Sequence, residues 1–102
     1  MRQIWVIAVN VVWTETAVNH LQAIREYIDQ TSPEYARRMV DRLTRRSKQI
    51  ASFPFSGRRV AEYDVDQIRE VIEGPYPIIY YIRAERIDVV AVIHARQNMS
   101  EG

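Results

Sequence analysis

The side chains in this sequence with the clearest chemical potential are one histidine late in the chain, His94, and four arginines, Arg58, Arg59, Arg69 and Arg96. Together they suit work on a phosphodiester. Metal-free RNA cleavage uses the ribose 2′-hydroxyl as nucleophile and needs a base, cations for the crowded phosphate, and an acid for the leaving oxygen. His94 can serve as base or acid, and a guanidinium fork matches phosphate geometry. If the last strand stays regular, His94 and Arg96 point to one face of it. The same residues also suit contact with a target that is not cleaved, and each has a plain structural reading. A histidine at a strand end can simply be hydrogen-bonded, Arg69 beside Glu70 can be half of a cross-strand ion pair, and Arg58 after Gly57 can anchor a loop. His20 flanks the apolar stripe of a helix and reads as structural.

Other chemistries are excluded or unprovided for. There is no cysteine, so no disulfide, thiol catalysis or Cys-type zinc site. The two histidines, His20 and His94, lack ligand-like spacing, and no metal or cofactor is expected. With 102 residues the chain is expected to be one domain, residues 1–102, with no room for a second. Hydrophobic residues are 47% of the chain, enough to fold around one modest core. The apolar segment Ile4–Val12 is too short to span a bilayer, and Trp13-Thr14-Glu15 follows with no Ala-x-Ala-like site. A buried strand in a cytoplasmic protein, with no membrane partner, is the expectation.

Net charge is only +1, but it is unevenly distributed. Eight basic residues (Arg37, Arg38, Arg42, Arg45, Arg46, Lys48, Arg58, Arg59) and one acid, Asp41, fall between Arg37 and Arg59. From Val60 onward acids outnumber bases. Such a pattern gives either a face that meets an anionic partner or a solvated helix surface.

The elements that must position these residues follow from periodicity. Gln3–Trp13, rich in Val, Ile and Trp, reads as a strand. Thr14 is an N-cap for a helix over about 15–30, with Ala17, Leu21, Ile24 and Ile28 on one stripe. Ser32-Pro33 starts a second helix running to about Ser52, with Ala36, Val40, Leu43, Ser47 and Ile50 inward. The short connection makes the pair an antiparallel hairpin. Phe53-Pro54-Phe55-Ser56-Gly57 is a loop that packs back on the domain. Strands follow at Ile68–Glu73, Tyr76–Arg83 and Arg86–His94. In the last, Ile87, Val89, Ala91 and Ile93 share one face and Asp88, Val90, Val92 and His94 the other. The class is α+β: an N-terminal strand, a helical hairpin, then a three-stranded antiparallel run completing one sheet.

This order resembles the RelE/ParE superfamily of toxins. Trp13-Thr14-Glu15-Thr16-Ala17 with Leu21, Ile24 and Tyr27-Ile28 is similar to the family's opening strand and first helix. Ser32-Pro33 and Phe53-Pro54 through Gly57-Arg58 resemble the start and exit of its second helix. Ile68-Arg69-Glu70, Tyr76-x-Ile78-x-Tyr80 and Val92-Ile93-His94-x-Arg96 resemble its C-terminal sheet. The likeness runs from about Val11 to Arg96 and lies in order and spacing, since no single piece is specific.

The resemblance implies a growth-inhibiting toxin of a type II toxin–antitoxin system, held silent in a hetero-oligomer by a cognate antitoxin that covers an apolar surface. RelE-like members cut mRNA on the ribosome, with His94, Arg96 and Arg69 as the catalytic candidates here. ParE-like members poison DNA gyrase without cutting nucleic acid themselves, and Arg58, Arg59, Arg69, His94 and Arg96 become target-contact candidates. RelE-like enzymes usually carry an arginine after the tyrosine matched by Tyr76, where this chain has Pro77. They also use a late tyrosine, and no tyrosine follows Tyr81 here. These departures and the long helical hairpin favour the ParE-like side. A non-toxic, antitoxin-binding remnant is the third reading, raised by Pro77, because ParE-like sequences also often have a basic residue there.

Overall fold

The computed structural model describes residues 5–8 and 10–94, with side chains considered from residue 10 onward. The elements are β1 (Trp5–Ala8), β2 (Val11–Trp13), α1 (Glu15–Asp29), α2 (Pro33–Ile50), a turn of 3-10 helix (Pro54–Ser56), β3 (Arg58–Arg59), β4 (Ile68–Glu73), β5 (Tyr76–Ile82) and β6 (Ile87–Val92). The strands form one sheet in the order β1-β2-β6-β5-β4-β3. All pairs are antiparallel except β2 with β6, which is parallel. The α+β class, the helical hairpin and the antiparallel β4-β5-β6 run follow the reading of the sequence.

Local signals set the helix ends. The Thr14 hydroxyl accepts from the Ala17 amide at 3.1 Å and caps α1. The Ser32 hydroxyl does the same for Tyr35 at 3.1 Å, with Pro33 in the first turn of α2. Between them, the amides of Thr31 and Ser32 both return to the Ile28 carbonyl, which closes α1 and reverses the chain. Both helices lay their apolar stripes on one face of the sheet. Val18, Leu21, Ile24 and Ile28 of α1 and Ala36, Met39, Leu43 and Ile50 of α2 meet Val11, Trp13, Ile78, Tyr80, Val89 and Val92. Fully burying an aliphatic side chain of this size contributes about 1.5–3 kcal/mol, so this layer carries most of the stability.

Four details differ from the sequence reading. The single strand expected over Gln3–Trp13 is two strands, β1 and β2, paired antiparallel with Trp5 opposite Trp13. Asn10 lies in the turn between them, and its carbonyl accepts from Ile87 at 2.6 Å, tying the turn to β6. Hydrophobic run length does not show such a reversal, because both arms are apolar. In α2 the fully buried residue is Met39, not Val40, since the inward row runs 36, 39, 43, 47, 50. That helix ends at Ile50 rather than Ser52. A two-residue edge strand, β3, was not foreseen and is too short to leave a periodic signal.

The last strand departs more consequentially. Ile79 pairs with Ala91 and Tyr80 with Val89, so Val90 is an extra residue in β6. This bulge shifts the alternation by one position. Ile87 and Val89 face the helices before it, but Val92 does so after it, and Ala91 and Ile93 turn to the opposite face.

Candidate functional site

The predicted site residues fall into two groups at different places on the sheet. His94, just past β6, lies at the end where β4 turns into β5. Its ring stacks on Tyr76, with centroids 5.7 Å apart and planes 20° from parallel. Tyr27 of α1 meets it edge-on at 4.9 Å. Both are favourable ring geometries. Burial raises the Tyr76 phenol above its ordinary value, and the nearby phenols of Tyr35 and Tyr27 push it the same way. Tyr76 therefore keeps its proton at neutral pH. The result is two tyrosines, Tyr27 and Tyr76, against one imidazole, with Tyr35 near Tyr76. Reading the sequence alone missed Tyr35 as part of this cluster and took Tyr27 only as part of a motif. The available signal was position: Tyr27 and Tyr35 flank the helix-to-helix turn and must emerge at the same end.

The arginines sit elsewhere. Arg69 faces Tyr80 across β4 and β5, four residues along β5 from Tyr76, or roughly 13 Å at the strand rise. Its side chain is only 14% exposed. It donates to the carbonyls of Asp66, Phe55 and Gly57 at 2.8–3.1 Å and to the Asp66 carboxylate at 2.7 Å. The guanidinium also lies 5.0 Å over the Phe55 ring. Four of its five N–H groups are thus engaged in holding the 53–57 loop and the 66–69 turn. Arg58 pairs with Glu70 at 2.9 Å, and Arg59 with Asp64 at 3.1 Å. The cross-strand partner of Arg69 is Arg59, and Glu70 pairs instead with Arg58. Arg96 lies outside the described residues.

The loop that Arg69 holds is fixed from below as well. Tyr80, buried in the core, donates its hydroxyl to the Pro54 carbonyl at 2.6 Å. A Cβ at Gly57 would overlap that hydroxyl and stand 2.8 Å from the Glu70 carbonyl, so only glycine fits. Another buried polar pair lies under α2: the Trp13 indole donates to Ser47 at 3.0 Å, and Ser47 donates to the Thr44 carbonyl. This explains why a serine occupies the inward row of α2, since the indole N–H would otherwise have no partner. His20 is structural in the same sense. Its Nδ1 accepts from the Val92 amide at 3.3 Å, which requires a neutral ring, and burial lowers its pKa.

Two surfaces remain. The face of the sheet away from the helices carries Ile68, Ile72, Pro77, Ile79, Tyr81, Ala91 and Ile93. Two adjoining troughs of about 310 and 360 Å³ run along it, bordered by Val60 and Tyr63 on one side and by Thr16 and His20 on the other. Pro77 lines this surface, whereas Tyr76 beside it faces the helices. The outer face of α2 is basic. Among the described residues, no group of three or more His, Asp or Glu is placed to hold a metal ion. No helix there is long and apolar enough to cross a membrane.

Comparison with known proteins agrees with this architecture. A family model described as the ParE toxin of the type II toxin–antitoxin system, parDE, matches residues 11–99. "Toxin RelE2" of Caulobacter vibrioides is 40% identical over 86 residues, covering 83% of this chain and 93% of the relative. "Putative toxin Y4kP" of Sinorhizobium fredii is 31% identical over 86 residues, covering 83% and 86%. Among solved structures, a chain of the chromosomal ParDE TA system from P. aeruginosa has the same fold, with a TM-score of 0.68 at 20% identity. That match covers 85% of this chain and 96% of the other. The chain belongs to the ParE toxin family of type II toxin–antitoxin systems.

Proposed function

We propose that the chain inhibits growth by binding and poisoning DNA gyrase, and that a cognate antitoxin silences it by covering the open face of the sheet. One observation carries the first half. The described arginines that a phosphodiester-cleaving centre would draw on are held by Phe55, Gly57, Asp64, Asp66 and Glu70, and Arg69 pairs with β5 four residues along from Tyr76, the residue on which His94 stacks. Cleavage needs base and cation within hydrogen-bond reach of one phosphate. Pro77, where an mRNA-cleaving relative would offer a guanidinium, adds neither charge nor donor. A toxin that acts by occupying a protein target does not need that convergence. The arginine-held loop would then serve as a rigid contact surface.

The antitoxin half rests on the open sheet face. Ile79, Tyr81, Ala91 and Ile93 stand half-buried with no helix over them, and Tyr63 beside them is 55% exposed. An apolar surface of this kind on a small domain marks a protein-binding site. The match to a chain of a ParDE system makes an antitoxin segment the fitting occupant.

The ribonuclease reading keeps one specific observation in its favour: His94 sits between two phenols, Tyr76 and Tyr27, that could shuttle or donate protons. A gyrase supercoiling and cleavage assay with purified protein, with and without ATP, separates the readings. Lost supercoiling or gyrase-dependent DNA breaks, with mRNA left intact, is the expected result. Folded protein that leaves gyrase unaffected while cutting mRNA at ribosomal A-site codons would establish the ribonuclease. Inactivity in both assays, with antitoxin binding retained, would identify a silent toxin.

A further inference from the structure

The outer face of α2 concentrates charge that the gyrase and antitoxin readings leave unused. Arg37, Arg38, Arg42, Arg45 and Lys48 lie on the side of the helix away from its buried row of Ala36, Met39, Leu43, Ser47 and Ile50, and Arg46 flanks that row. Their carboxylate neighbours are three: Glu34 beside Arg38, Glu73 beside Arg42 and Arg46, and Asp41 within the face itself. The whole chain carries only +1, so the rest of the molecule is net acidic and the charge is segregated rather than spread for solubility. Arg37, Arg45 and Lys48 are exposed and make no ion pair among the described residues. Two shallow hollows of about 260 and 220 Å³ adjoin along the helix, and Arg42 and Arg45 line both. The Nε of Arg46 is buried without a hydrogen-bond acceptor beside the first of them.

We propose that this face binds the phosphodiester backbone of a nucleic-acid duplex, independently of sequence. Phosphate is favoured over an acidic protein because the face lacks apolar anchors. Tyr35, in the first turn, is the one large hydrophobic residue of α2 that is exposed, whereas protein interfaces centre on buried apolar side chains. A duplex is favoured over a single strand for a related reason: successive bases need aromatic platforms to stack on, and Tyr35 alone does not make a row. From Arg37 to Lys48 the helix rises roughly 16 Å, enough to follow several phosphates along one strand. Five of the six cations are arginines, the side chain whose fixed donors bind phosphate through two bonds at once. This inference does not depend on the gyrase reading, since duplex lies beside either target.

The test is fluorescence anisotropy of the full chain, freed from antitoxin, against a short DNA duplex, a short RNA duplex and polyglutamate. Salt is varied between 50 and 200 mM. Duplex binding is expected to weaken with salt, with the three unpaired cations alone accounting for about a 40-fold loss over that range. The combined variant Arg37→Gln, Arg45→Gln, Lys48→Gln changes only exposed side chains, and circular dichroism checks its folding. It should bind at least about tenfold more weakly at low salt and shallow the log–log salt slope by about 2.7. Arg45→Lys, which keeps the charge, should keep most of the affinity. Binding of either duplex supports the proposal, and a preference for one would show which duplex geometry fits the face better. Three results would overturn the proposal: folded protein that binds neither duplex at 50 mM salt, a salt slope unchanged in the triple variant, or binding of polyglutamate without binding of either duplex.

Discussion

The open face of the sheet and the outer face of α2 lie on opposite sides of the molecule, and they are chemical opposites. The first is built from Ile68, Pro77, Ile79, Tyr81, Ala91 and Ile93. The second is built from five arginines and a lysine. Between them lies one layer of helix on sheet, so each residue of the core supports both surfaces. The difference teaches that a domain of this size can address two partners by dividing chemistry between its sides. An apolar face gains from exclusion of water and is little affected by salt. A basic face gains from long-range attraction and counterion release and is weakened by salt.

The largest effect should come from the shared scaffold, where the two sides cannot be separated. Gly57→Ala puts a methyl group against the Tyr80 hydroxyl and the Glu70 carbonyl, at the back of the Arg69-held loop. It should destabilise the fold by about 3 kcal/mol, read as a lower urea midpoint, and reduce antitoxin and duplex binding together. A variant as stable as the parent would mean the loop relaxes more freely than its hydrogen bonds imply.

Ile79→Asp sharpens the comparison from one side. Ile79 lines both troughs, and its substitution should weaken antitoxin binding about 100-fold, or ~2.7 kcal/mol, while leaving the salt dependence of duplex binding intact. Isothermal titration against the antitoxin measures it, and unchanged affinity would place the antitoxin elsewhere. The triple α2 variant is the mirror case, expected to lose about tenfold in duplex binding with antitoxin affinity unchanged. If both single-face variants weakened both partners, the division between the faces would be wrong.

The smallest effect is one of pH, at the seam between the two sides. His20 borders the open-face trough, yet its Nδ1 accepts the buried Val92 amide. Burial depresses its folded pKa below the ordinary 6.5, so the unfolded chain takes up the proton first as pH falls. Stability from this group is therefore full above about pH 6.5 and is lost as pH drops from there through the lower folded value. The urea midpoint should fall between pH 7.5 and pH 5.5 in the parent. The fall should be smaller in His20→Gln, which keeps an acceptor but does not titrate. Equal falls in both proteins would assign the pH dependence to other groups.

The two faces were not equally legible in the sequence. The basic face is local: residues 37, 38, 42, 45, 46 and 48 lie on one helix, and helical periodicity alone gathers them. The open sheet face is not. It draws on β4, β5, β6 and the 60–63 segment, and its membership turns on the bulge at Val90, which one apolar residue among many does not announce. Regular alternation would place Val92 with His94 opposite Ile87, Val89 and Ala91. The bulge instead puts Val92 with Ile87 and Val89 toward the helices. The candidate site was partly legible in the same way. His94 and the arginines could be named from residue type, but their separation along β5 comes from register. Register also decides that Glu70 answers Arg58 while Arg69 turns to the loop carbonyls.

The sequence by itself determined the helical hairpin with both its caps, most of the residues facing the core, the order of the late strands and the family. These follow from signals within a few residues of one another: a hydroxyl before a helix, a proline in its first turn, apolar spacing of three and four. Only the tertiary structure decided that the first apolar run is a hairpin, that β2 runs parallel to β6, and which arginines are held by the protein's own groups. It also placed Tyr27 and Tyr76 against His94, with Tyr35 near Tyr76. Those outcomes depend on which distant groups meet, and the free energy of a buried hydrogen bond or ion pair is fixed by the partner that arrives, which no short stretch of sequence specifies.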